Sequence, residues 1–128
     1  MNDCEGTLHP AAAEGIRLFN RGEYFEAHEA LEAAWRAEVG PVRDLYRGIL
    51  QIAVAYLHVT RNNYAGAIKV YGRSQRWLRA WPEKCRGVEV GRLKEDAARA
   101  LAEVQRIGPG GLASFDRSLF KPILFDHA

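Results

Sequence analysis

The chain has 128 residues, 48% of them apolar and 27% charged, with a formal net charge of +2. Those proportions suit one compact domain spanning residues 1–128 and argue against disorder except at the ends. So small a net charge gives no case for nucleic acid. The most apolar stretch, Ile49 to Val59, is broken by Gln51 and His58 and falls far short of the roughly 20 residues of a membrane helix.

Met1-Asn-Asp-Cys-Glu-Gly has neither a basic start nor a following apolar block, so no signal peptide is read there. Cys4 and Cys85 lack CxxC or CxxH spacing and read as two free thiols of a reducing compartment, which makes the chain cytoplasmic. The first helix is expected from Pro10, well placed for a first turn, to Arg21 before Gly22. The second runs from Glu23 to Glu38 and stops at Gly40-Pro41. The third spans Val42 to Arg61, and the fourth runs from Asn63 to Trp81, ahead of Pro82. A fifth covers Glu89 to Ile107, with Leu93, Ala97, Ala100, Leu101 and Val104 at helical spacing. Gly108-Pro-Gly-Gly111 closes it, and no segment alternates long enough to be a strand. The tail, 108–128, carries Phe115, Leu119, Phe120, Ile123, Leu124 and Phe125, too apolar for a free end; it should pack back on the bundle.

A shift of 40 residues superposes Arg21 on Arg61, Tyr24 on Tyr64 and Ala27 on Ala67. Ala53-x-x-Tyr56 and Asn63-Tyr64-x-x-Ala67-x-x-x-Tyr71 have the spacing of tetratricopeptide repeats, although the shift exceeds that family's period. The expected fold is all-α: two stacked, tetratricopeptide-like hairpins, a fifth helix and the tail.

On the second helix Tyr24, Ala27, Leu31, Ala34 and Trp35 form the apolar face. His28 stands at its edge one turn before Glu32, which in turn precedes Arg36, with Glu29 beside them and Glu26 turned away. The third helix is apolar round most of its circumference and therefore central. Its polar exceptions, Asp44, Arg47, Gln51 and His58, fall within about 60° of one another. Buried polar groups need partners, since each left unpaired costs about 1–3 kcal/mol. The antiparallel neighbour offers His28, Glu29 and Glu32, so an ion pair of Arg47 with Glu29 or Glu32 is expected.

Three readings of His28, Glu29, Glu32, Arg47, Gln51 and His58 stay open: a network that fixes helix register, a solvated face, or a ligand or catalytic site. His28, Glu32 and His58 are weak metal candidates, because no HExxH or repeated ExxH is present and Arg47 opposes a cation. A polar or anionic ligand held by Arg47, Gln51 and His28 fits as well. A His28–Glu32 pair suits acid–base work, but no nucleophile, phosphate-cradling loop or cofactor motif accompanies it. Lys69, Arg73, Arg76 and Arg79 form a basic face on the fourth helix, a surface for an acidic partner or RNA, or a solvated face. No recognised RNA module accompanies it. The apolar tail and paired tryptophans also fit a dimer. His9 serves the first helix start, and His127, at the terminus, carries no role.

Phe19-Asn-Arg-Gly-Glu-Tyr-Phe-Glu-Ala-His28-Glu-Ala-Leu-Glu32, followed by Trp35-Arg36, is similar to the signature of the prokaryotic domain-of-unknown-function family numbered 309. Tyr46-Arg47-Gly-Ile-Leu-Gln51-Ile-Ala53 resembles its second block and Asn62-Asn63-Tyr64-x-x-Ala67 its third, over residues 15–80 in all. The resemblance implies a small helical bundle with the motif residues as a unit. It supplies no substrate. The function expected is a helical binding or adaptor module whose polar network is mainly structural, with a ligand-binding protein or enzyme as the alternative.

Overall fold

A computed structural model describes residues 3–126; Met1 and His127 lie outside them. Five helices carry the fold: α1 Pro10–Asn20, α2 Tyr24–Ala37, α3 Arg43–Thr60, α4 Tyr64–Leu78 and α5 Val90–Gly111. The His9 ring starts α1 by accepting from Ala11 N–H at 3.0 Å, and Pro10 follows where its missing N–H is harmless. Gly108, with φ of +69°, breaks α5 ahead of Pro109, where the Gly-Pro cluster predicts its end. The fourth helix stops at Leu78, three residues short of Trp81.

The 40-residue repeat is visible in the hydrogen bonds. Arg21 N–H donates to Arg17 and Leu18 carbonyls, and Glu23 N–H to Leu18 O. Forty residues on, Arg61 N–H donates to Leu57 and His58, and Asn63 N–H to His58 O. Each turn needs one left-handed residue, Gly22 at φ +79° and Asn62 at +58°. Glycine and asparagine tolerate that region best. These turns fold α1 on α2 and α3 on α4, and α2 packs on α3. Small residues set the separations: a Cβ on Gly15 would stand 2.6 Å from Leu31, and one on Gly48 2.6 Å from Leu78.

Two expectations need correction. Lys84–Cys85 and Val88–Glu89 pair as antiparallel strands β1 and β2, so a small sheet is present. Strands of two residues are too short to show alternation; the signal was Arg86-Gly87, which turn with φ of +52° and +82°. Cys4 and Cys85 are joined in a disulfide across 81 residues of sequence, not free. The N-terminal segment crosses the hairpin, where Arg86 N–H donates to Cys4 O and its guanidinium to the Asp3 and Thr7 carbonyls. No spacing rule reveals such a meeting.

The tail does pack on the bundle. Asn20 grips Ile123 through both backbone groups, donating to its carbonyl at 2.9 Å and accepting from its N–H at 2.7 Å. Phe125 bridges Val88 beyond it. Phe120 stacks on Tyr56 at 4.0 Å within a cluster that includes Phe19, Tyr24 and Phe115. Among the described residues no helix is long and apolar enough to cross a membrane.

Burial raises the Tyr24 phenol to about 12, partly offset by Arg117. Burial pushes Tyr56 up further still, helped by Tyr24 and Asp96. Unfolded tyrosines ionise near pH ~10, so stability is complete below that pH and falls as it rises toward 12. Urea unfolding should show a loss of about 1 kcal/mol per pH unit per phenol in that window. Tyr24→Phe should flatten the slope.

Candidate functional site

The α2 turn places His28 Nε2 3.4 Å from Glu32 Oε2, while Arg36 reaches Glu32 Oε1 at 2.6 Å. Helical spacing of four makes this a chain along one helix face. Phe25, His28, Glu29, Glu32, Ala33 and Arg36, all from α2, line an open recess of about 340 Å³. His28 and Glu32 are about a third exposed and Arg36 is 70% exposed, so these pairs contribute at most about 0.5–1 kcal/mol. A second concavity, of about 210 Å³, lies between the N-terminal segment, Arg17 and the hairpin turn, away from the motif residues.

The α3 stripe meets different partners. Arg47 lies between two indoles, 5.2 Å from the Trp35 ring on α2 and 4.3 Å from the Trp77 ring on α4. Arg43 stacks on Trp35 as well, at 4.9 Å. Among the described residues neither arginine pairs with a carboxylate, so the expected bond from Arg47 to Glu29 or Glu32 does not form. Glu32 is already engaged by Arg36 and His28. Guanidinium groups stack on aromatic faces readily, with about 0.5–2 kcal/mol per contact. One turn above, Gln51 is half-buried, and its Oε1 is buried with no hydrogen-bond partner among the described residues.

His58 lies two turns further along α3. Its Nδ1 accepts from Asn63 Nδ2 at 3.1 Å, while Asn63 Oδ1 caps α4 through Gly66 N–H at 3.0 Å. A Cβ on Gly66 would crowd both residues, 2.6 Å from Asn63 and 3.0 Å from His58. Thus the six residues divide: His28, Glu29 and Glu32 share the α2 recess, Arg47 sits in a ladder of stacked side chains, Arg43–Trp35–Arg47–Trp77, Gln51 stands one turn from it, and His58 supports a cap. Among the described residues, no three His, Cys, Asp or Glu side chains gather as a metal site requires. Lys69, Arg73 and Arg76 on α4 and Arg79, the residue that caps its C-terminal end, are all exposed.

Comparison with known proteins supports the motif blocks. Residues 12–70 match the family model "Domain of unknown function (DUF309)". Over these residues the chain is similar to that family. It is also similar to "Uncharacterized protein YpuF" of Bacillus subtilis (strain 168), 40% identical over 88 residues, which are 66% of this chain and 51% of that protein. The chain therefore spans about half the length of this relative. The DUF309 match holds most of α1, α2, α3 and the first half of α4, hence Trp35, Arg43 and Arg47; Arg73, Arg76, Trp77 and Arg79 lie beyond it.

Sequence reasoning missed the ladder because it sought a carboxylate for Arg47. The available signal was Arg43 and Arg47, one turn apart on α3, facing a helix that carries Trp35 in its last turn. In the DUF309 segment Glu32→Gln should change stability by less than about 1 kcal/mol. Arg47→Ala, which uncovers two half-buried indoles, should lower it by about 1–2 kcal/mol in urea unfolding.

Proposed function

We propose that the chain is a small helical binding module that receives a partner on its α2–α3–α4 side, with the ladder Arg43–Trp35–Arg47–Trp77 at the centre. One observation carries this reading: two stacked guanidiniums are held in place by tryptophans and have no carboxylate of their own among the described residues. The chain's own packing thus orients the cations before any ligand arrives, which reduces the ordering cost of binding. A carboxylate or phosphate would find planar donors at fixed positions. In this reading the His28–Glu32–Arg36 chain and the His58–Asn63 cap are structural: they hold α2 and the α3–α4 turn in register.

A second reading, a small polar ligand held by Gln51 and Arg47, is favoured by the unpaired Gln51 Oε1. Both readings place the anion at Arg47. The probe is a blocked triglutamate peptide, followed by tryptophan fluorescence because Trp35 and Trp77 both touch Arg47. Wild-type protein should show a saturable change that weakens with salt, and Arg47→Met should abolish it. An equal response in Arg47→Met would sink the proposal.

The cytoplasmic setting belongs to the same proposal, and the Cys4–Cys85 bridge makes it measurable. Reducing compartments keep such bridges open. If Cys4 and Cys85 are protected from alkylation at the moment of lysis, the bridge is kept in the cell and the chain belongs to an oxidising compartment; alkylation of both would support the cytoplasmic setting.

A further inference from the structure

The ion pairs of this protein are unevenly distributed. Arg17, Arg21, Arg36, Arg92, Arg99 and Arg106 each face a carboxylate, at 2.6–3.8 Å. Lys69, Arg73, Arg76 and Arg79 have none among the described residues. Residues 45–82 contain six arginines and lysines and no aspartate or glutamate. With a net charge of +2 for the whole chain, the rest of it is net acidic. Charge is therefore segregated onto the α3–α4 hairpin, where it is uncompensated.

The α4 cations follow one another four, three and three residues apart, a strip about 15 Å long on one side of the helix. Ala65, Gly72 and Ala80 are the other exposed residues of that side. Gly72 is the informative one. Glycine inside a helix is unfavourable relative to alanine; Gly15, Gly48 and Gly66 each have a neighbour 2.6 Å from the position of a Cβ, whereas Gly110, past the Gly108-Pro109 break of α5, is open. Gly72 has nothing within 4 Å. The chain's own packing gives no reason for it, whereas a second backbone approaching α4 from outside would.

We propose that α4 docks an acidic helical segment of a partner protein, laid along Lys69, Arg73, Arg76 and Arg79 and crossing closest at Gly72. The inference rests on the binding-module reading and names its partner's chemistry. Helices approach to about 8–10 Å where small residues lie between them, and glutamates at intervals of three and four would face the strip. A nucleic acid strand fits less well, because base stacking needs open aromatic faces. Tyr64 and Tyr71 pack against the core, and Trp77 is covered by Arg47.

The test uses fluorescein-labelled peptides about five turns long: an alanine-based helix with glutamates at that spacing, and the same helix with glutamine instead. A single-stranded RNA serves as the third probe, and binding is followed by anisotropy on the full chain. The glutamate helix should bind and the glutamine helix should not. Arg73→Glu/Arg76→Glu, both exposed and so compatible with folding by circular dichroism, should weaken binding at least about tenfold. Gly72→Ala should raise the melting temperature yet weaken binding at least about threefold. Loss of binding in Arg47→Met without loss in Arg73→Glu/Arg76→Glu would keep the ladder reading and overturn this one. Loss in neither variant would overturn both, and RNA bound more tightly than the glutamate helix would overturn the acidic-helix assignment.

Discussion

Everything in this fold depends on the burial of α3. Leu45, Tyr46, Ile49, Ile52, Tyr56 and Val59 are all lost from solvent, and burying side chains of this size stabilises by about 1.5–3 kcal/mol each. A helix enclosed by α2 on one side and α4 on the other has little room for polar groups. Arg43, Arg47, Gln51 and His58 must leave by the narrow line between those two neighbours. That constraint, rather than any attraction between Arg47 and a glutamate, decides where the cations emerge. It is also why tryptophans from both flanking helices meet Arg47.

The helices were legible because their signals are local. Gly22 and Asn62-Asn63 turn the chain, Gly40-Pro41 and Pro82 interrupt it, and the apolar spacing of α1, α2 and α5 has a period that only a helix satisfies. The hairpin Lys84–Glu89 and the Cys4–Cys85 bridge were not legible, since both arise from contacts distant in sequence. Half of the polar constellation was placed on the correct faces: His28 and Glu32 do touch, and Arg47 does reach the α2 side. The pairing failed because helical wheels give direction but not reach. Glu32 meets Arg36 of its own helix at 2.6 Å before any α3 side chain competes, and arginine finds an indole as acceptable a neighbour as a carboxylate.

The motif blocks and the surface argued for binding are therefore related but distinct. The blocks include buried residues such as Leu31 and Ala53 that make the helices pack, and glycines such as Gly48 and Gly66 that let them approach. Those positions report the scaffold, while Trp35 and Arg47, which the blocks also include, belong to the ladder. The ladder and the basic strip of α4 occupy the scaffold's rim, where side chains are free to serve a partner and loss of one seldom unfolds the protein.

The disulfide has a topological consequence as well as an energetic one. By joining Cys4 to Cys85 it encloses α1 to α4 in a single covalent loop, leaving α5 and the tail outside. Closure of so long a loop restricts the unfolded chain, by about 4 kcal/mol in the entropy model. It also changes what a cut means. Cleavage at the exposed Val39 between α2 and α3 would divide the polypeptide without dividing the molecule, and the two pieces would part only when the bridge is reduced.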